Sequence, residues 1–566
     1  MGLVAWASEN QRRMKILSAA MLLTALSLPA IAAEPAPLMT VLIKGGPVVQ
    51  GKGDVDVSLT VPDVNVTAGA PLLSFGAFTP GQSQPQAVVD MTVTDADGPV
   101  TLIAGGPKDG TWTASRAVRG KMVVRYRLPV VNAPPISGGP PTNLRIDGDG
   151  FSGEGGTIVM QPAVSQPYRV ALHWDLADMG AGAEGVSSYG DGDFELPPGS
   201  VKRLGDIVFM AGHLHREPEK GAAAFSAVWL DGAPFDPHPA MRWTGQLHSW
   251  MSNWFHDKTE PPYRVFLRYN PMNAGGGAAM LHSFIATYGP GVTGDSLKVI
   301  LGHEMNHTWT DVGLDKWYAE GIAVYSQALL PWRAHLLTTD EYLADLNQTA
   351  SRYYTNPLKS YPEDQVDDHF WQDTRIRTLP YDRGAMYFAV LNGKIAKASG
   401  GKRSVDDLVQ AMIDRKSAGE PITDDVWIGM LRKEIGPEGP AIHQSMMTGG
   451  LMLPDSDGFG PCFHRIQKRI RKFELGFDPH SLVTPERIIQ GLMPDSEAAK
   501  AGVRNGDKVT YGVALDAVQG DVHRTFTLHV TRDGQTFPIT YLPRGEEVDA
   551  YQWERVPGVP DSKCRF

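Results

Sequence analysis

His303-Glu304-Met305-Asn306-His307 is the stretch of this 566-residue chain whose residue types and spacing best suit chemistry. On an α-helix the two histidines stand one turn apart on one face, so both imidazoles can reach a single ion. Glu304, beside them, is placed to take a proton from water held by that ion. This is the pattern of a zinc-hydrolase helix. Five residues are few enough to recur by accident, and a catalytic zinc site needs a third protein ligand with the fourth position left to water.

Glu320 is the candidate for that ligand, 13 residues beyond His307. A first helix running to about Asp311 would descend ~6 Å below His307, at ~1.5 Å per residue. Val312-Gly313-Leu314 then turns the chain, and a second helix from about Asp315 would climb ~7.5 Å to reach Glu320. The carboxylate thus returns to the level of the imidazoles. Its neighbours include Trp317, Ile322 and Tyr325, an apolar setting in which an unpaired carboxylate is costly. Ligation to a metal would remove that cost.

Three separated stretches carry a resemblance to a known family: His303 to Trp309, Trp317-Tyr318-Ala319-Glu320-Gly321, and Tyr381-Asp382-Arg383-Gly384-Ala385-Met386. Residues 399–408 follow the same pattern. The sequence resembles the glycyl aminopeptidase family of gluzincin zinc metallopeptidases, exported bacterial enzymes with an N-terminal β domain, a thermolysin-like domain and a C-terminal PDZ domain. The resemblance implies Zn2+ bound by His303, His307 and Glu320, with Glu304 and Tyr381 catalytic. Tyr381 would be the tyrosine whose hydroxyl stabilises the oxyanion, a role a phenol can fill by donating to charge as it develops. Peptide or protein substrates are implied, with aminopeptidase action.

Two departures matter. The spacing between His307 and Glu320 is shorter than the family usually shows. The family also tends to carry Gly-Gly-x-Glu-His in the glycine turn, where the glutamate holds the substrate's amino group. Here residues 275–283 contain no acid. Without that carboxylate the ammonium loses its electrostatic anchor, which leaves endopeptidase action, or peptide binding at a degenerate site, as the alternative reading.

The elements that must position these residues fall into a multidomain α+β chain. Residues 34–239 read as a β-rich, sandwich-like domain, with alternating runs at residues 55–61, 122–128 and 168–174 and Gly-Pro punctuation such as residues 137–141. Its His213 and His215 read as surface or structural. Residues 240–458 read as a mainly helical catalytic domain. It opens on a helical stretch around Trp243 and Trp254, a strand at residues 263–269, a flexible glycine turn at residues 273–279 and an apolar stretch at residues 280–288. Asp295 or Ser296 is expected to cap the motif helix, and Ser404 to open a later one with a capping box.

Residues 470–545 read as a smaller β domain, and residues 546–566 as a tail. Residues 491–509 resemble the centre of a bacterial PDZ domain, and Glu474-Leu475-Gly476-Phe477 its carboxylate-binding loop. Such a domain would take a C-terminal peptide by strand addition, or simply pack on the catalytic domain.

Bulk properties narrow the partners. Hydrophobic residues are 42% and charged residues 20%, ordinary for a globular protein. The length calls for several domains. The net charge of −11, with no basic run, excludes nucleic acid as a partner. Arg12, Arg13 and Lys15 precede an apolar run over residues 16–31 that ends in small residues, which predicts a cleavable secretory signal over residues 1–33 and a periplasmic or secreted protein. No later stretch is long and apolar enough to span a bilayer. Cys462 and Cys564, the only 2 cysteines, are expected to pair in an exported protein.

Overall fold

The computed structural model describes residues 36–564, apart from residues 78, 80–84, 106–109, 133–141, 220–223, 258–261 and 271–273. The expected signal over residues 1–33, the turn at residues 137–141 and Asn273 therefore lie outside the described residues.

The N-terminal β region follows from alternation. In Lys52–Val66, Val55, Val57, Leu59 and Val61 are buried while their neighbours are not, as a two-residue period requires. This strand pairs antiparallel with Val118–Val131 and with Leu38–Gly45, and Leu38–Gly45 pairs parallel with Tyr168–Asp175. They belong to a seven-stranded sheet. A four-stranded and a five-stranded sheet share one apolar core with it. His213 is exposed and bonds Asp149 and the carbonyl of Ala181, and exposed His215 pairs with Asp231.

A second five-stranded sheet underlies the site, in the order His215–Glu217, Phe225–Trp229, Tyr263–Tyr269, Ser283–Tyr288, Gly277–Met280. The α+β part thus reaches back to His215, ahead of the boundary expected near residue 239. The middle three strands run parallel and the outer two antiparallel to their neighbours. Tyr263–Tyr269 is buried on both faces rather than one, as a covered parallel strand is. Val265 and Leu267 meet the helices, while Phe266 and Ile285 meet Val186, Val208 and Met210 of the N-terminal region.

The helical part comprises His238–Trp254, the motif helix Lys298–Thr310, the glutamate helix Lys316–Ser326, the long helix Thr339–Tyr354, the tyrosine helix Leu379–Ser399 and several more ending at Met447. The cap of the motif helix differs from expectation. Asp295 and Ser296 lie in a 3-10 turn preceding it, and Thr293 and Ser296 bond each other's backbone N–H one turn upstream. The expected capping box forms at Ser404, closed by Asp407.

At the C-terminal end a three-stranded sheet, Lys508–Thr510, Phe526–Arg532 and Gln535–Tyr541, has its own core around Phe473, Phe477 and Leu528. The tail expected over residues 546–566 begins as strand. Arg544–Arg555 pairs antiparallel with Phe463–Phe473, and Trp553 exchanges bonds with the side chain of Asn347 on the long helix. Cys462 and Cys564, 102 positions apart, are bonded and close a ring around this unit. No helix among the described residues is long and apolar enough to cross a membrane.

Candidate active site

The motif helix ends at Thr310, Gly313 turns the chain at φ 91°, and the glutamate helix starts at Lys316. The helix-turn-helix read from the sequence is the one observed, and it delivers Glu320 to the histidines. Glu320 Oε2 lies 3.3 Å from His303 Nε2 and 3.4 Å from His307 Nε2, and the two Nε2 atoms are 3.3 Å apart. Ligands at about 2.0–2.1 Å from a tetrahedral zinc are about 3.3–3.4 Å from one another. The three atoms therefore have the spacing of three corners of a zinc tetrahedron. Glu320 Oε2 is also buried without a hydrogen bond of ordinary geometry, which a cation would satisfy. Among the described residues this is the one cluster of His, Cys, Asp and Glu able to hold a metal ion.

The charges act as a unit. Burial opposes ionisation of His307, but the Glu320 carboxylate overrides it and lifts the imidazole to about 9. A proton there occupies the role a metal cation would take. His303 is oriented from behind: its Nδ1 lies 3.1 Å from Gln327 Oε1, and Gln327 Nε2 donates to Asp345 at 2.8 Å. A donor hydrogen on Nδ1 leaves Nε2 as the free ligand atom.

Glu304 is buried beside the triangle and is not one of its corners. Burial pushes its carboxyl up, against the pull of His303 and His307, and the N–H of Ala279 donates to it. Ala279 lies on Gly277–Met280, expected as a flexible turn but observed as the sheet's edge strand. A Cβ at Gly277 would come within 2.6 Å of Glu304 Cγ, so the strand can lie against the carboxylate only with glycine there.

Tyr381 stands on the first turn of the tyrosine helix, its ring stacked on that of His303 with centroids 6.0 Å apart. Burial holds its phenol well above the ordinary range, so it is a hydrogen-bond donor at neutral pH. All five residues singled out from the sequence are thus brought together.

No protein-family model matches the chain, and no curated protein matches it in sequence. Solved structures do match. The aminopeptidase N family protein of Idiomarina loihiensis aligns with a TM-score of 0.66 and 14% identity, over 93% of this chain and 99% of that one. The two chains share a fold. The M1 zinc metallopeptidase of Deinococcus radiodurans aligns with a TM-score of 0.45 and 16% identity, over 74% of this chain and 95% of that one. Yeast leukotriene A4 hydrolase aligns at 0.45 and 12%, over 74% and 68%.

The helices that carry Glu320 and Tyr381 cross closely at the site. A Cβ on Gly384 would sit 2.6 Å from the Cα of Gly321 and 2.8 Å from the carbonyl oxygen of Trp317. Gly321 follows Glu320 and Gly384 lies one turn past Tyr381, so the glycine pair sets the separation of the glutamate and tyrosine helices. Gly384→Ala is expected to cost about 1–3 kcal/mol through overpacking and to weaken metal binding by displacing Glu320. Thermal unfolding and zinc affinity of the variant check both effects.

Sequence reasoning missed Gln327, Asp345 and the Ala279 N–H. Gln327 had a signal, since it lies two helical turns beyond Glu320 and so shares its face. The bond from Ala279 had none, because Gly277-Ala278-Ala279 carries no strand propensity.

Proposed function

We propose that this chain is an exported zinc metallopeptidase, similar to the glycyl aminopeptidases and with a thermolysin-like catalytic domain, hydrolysing peptides that enter along the edge strand. The observation that carries the proposal is the 3.3–3.4 Å triangle of His303, His307 and Glu320 with Glu304 buried beside it. The shared fold with an aminopeptidase N family protein supports it. Export is supported by the signal-like residues 12–33 and by the Cys462–Cys564 bond, since disulfides persist in oxidising compartments.

Zinc held by His303, His307 and Glu320 would supply a Lewis acid for the peptide carbonyl and make nearby water easier to deprotonate. The chain's own residues do the rest. An extended substrate pairs its backbone with Gly277–Met280, the unpaired side of an edge strand. Glu304 takes a proton from the attacking water and returns it to the leaving nitrogen, a task suited to a carboxylate raised by burial. Tyr381 donates a hydrogen bond to the oxygen that becomes negative.

Residues 274–288, which contain the edge strand and its partner, carry no Asp or Glu. An amino group on the substrate therefore has no carboxylate on this strand to pair with, and we read the enzyme as tolerant of blocked N-termini. A panel of matched free and N-acetylated peptides tests this. Blocked peptides are expected to be cleaved within about tenfold of the free ones, since blocking removes no charge-assisted bond to a carboxylate on this strand. Cleavage confined to free peptides would establish an aminopeptidase, and cleavage of neither would favour the peptide-binding alternative. The C-terminal β unit is read as PDZ-like, and its contacts with the helical part favour a role within the enzyme.

A further inference from the structure

The C-terminal β unit touches the catalytic helices at several places, one of them the short helix Leu515–Gly520. Asp516 Oδ1 accepts from Arg377 Nη2 at 2.6 Å and from the hydroxyl of Thr374. Gln519, three residues on and so on the same face, donates from Nε2 to Thr378 Oγ1 at 3.1 Å. Gln519 and Thr378 are both buried. Thr374, Arg377 and Thr378 are the short helix Thr374–Arg377 and the residue after it, immediately before the tyrosine helix. Tyr381 is that helix's third residue.

A second clamp acts on the other side of Tyr381. Asp382 receives Arg352 through both Nε and Nη2, at 2.6–2.9 Å. Gly520 closes onto the same arginine, since a Cβ there would lie 3.5 Å from Arg352 Cδ. Residues 374–382 are thus held by Arg352 from within the helical part and by Asp516 and Gln519 from the C-terminal unit.

We propose that Asp516 is a positioning residue for hydrolysis: through Arg377 and Thr374 it fixes the turn that presents the Tyr381 hydroxyl, so the C-terminal unit completes the active site. This rests on the oxyanion role proposed for Tyr381. A surface ion pair would be worth little, but Arg377 is largely enclosed and Asp516 partly so. An arginine deprived of its carboxylate there is left desolvated and unpaired, and it would draw the turn toward other acceptors.

The test measures kcat and KM of the full-length zinc enzyme with Asp516→Ala and Asp516→Asn, each in the native and in the Tyr381→Phe background. Asp516→Ala is expected to lower kcat about tenfold, the size of coupling usual within one network, with KM within about twofold and zinc at one per chain. Asp516→Asn, which keeps an acceptor for Thr374, should recover part of the loss and guards against a variant that folds poorly. In the Tyr381→Phe background neither substitution should move kcat by more than about twofold, because the hydroxyl being positioned is gone. An equal tenfold loss in both backgrounds, or no loss in the native one, would overturn the inference while leaving the tyrosine's role intact. A fully active Tyr381→Phe enzyme would instead overturn that role, and the inference with it.

Discussion

Replacing Glu304 by glutamine is expected to leave zinc bound and to lower peptide hydrolysis by about 10²–10⁴-fold, the usual worth of a general base. The substitution preserves shape. The amide oxygen can still accept from the N–H of Ala279, so the edge strand stays seated and the cleft keeps its form. The ligand triangle loses nothing, because Glu304 is not one of its corners. What is lost is basicity, since an amide cannot take a proton from water at neutral pH. Steady-state turnover on a peptide, measured with metal content on the same preparation, separates chemistry from metal loss. Undiminished turnover with zinc in place would remove Glu304 from the mechanism.

Glu320→Ala is expected to fail in the opposite way, losing the metal itself. The remaining imidazoles of His303 and His307 offer two corners of a tetrahedron, and zinc sites of either kind use at least three protein ligands. Losing an outer contact to a ligand typically costs 10–100-fold in affinity, so losing the ligand should exceed about 100-fold. The protein should still fold. Glu320 and the two histidines form a tight charged group without the ion, but the helices around them are held by apolar contacts among Trp317, Tyr318, Phe388 and Trp427. Zinc titration with a competing chelator, alongside circular dichroism, reads both quantities. Retention of tight zinc binding by Glu320→Ala would mean that another residue completes the site.

The parts of this site that were legible in the sequence are those set by local helix geometry. Two histidines four residues apart can only share a face, and a 13-residue return fits one turn between two helices. The structure reproduces that hairpin nearly residue for residue. Tyr381 had no such local signature and was reached through family resemblance alone. Apart from the cysteine pair, contacts across long sequence separations were illegible. Nothing in Asp516 or Arg377 points to the other, 139 positions apart.

Strands followed the same division. The alternation in Lys52–Val66 announces a half-buried strand, but not that its neighbour Leu38–Gly45 will pair parallel with Tyr168–Asp175. Gly277–Met280 escaped because its small residues serve proximity to Glu304 rather than packing. Residues 546–555 read as the start of a tail. They become a strand only because Phe463–Phe473 offers a partner and the long helix receives Trp553.

The most direct test of the account is to strip the protein with a chelator and return zinc while following peptide hydrolysis. Activity should vanish on stripping, rise in proportion to added zinc and level off at one ion per chain, with Glu304→Gln taking up the same single ion and staying inactive. Hydrolysis that survives complete removal of metal, or that returns only at several ions per chain, would contradict a mononuclear site at His303, His307 and Glu320.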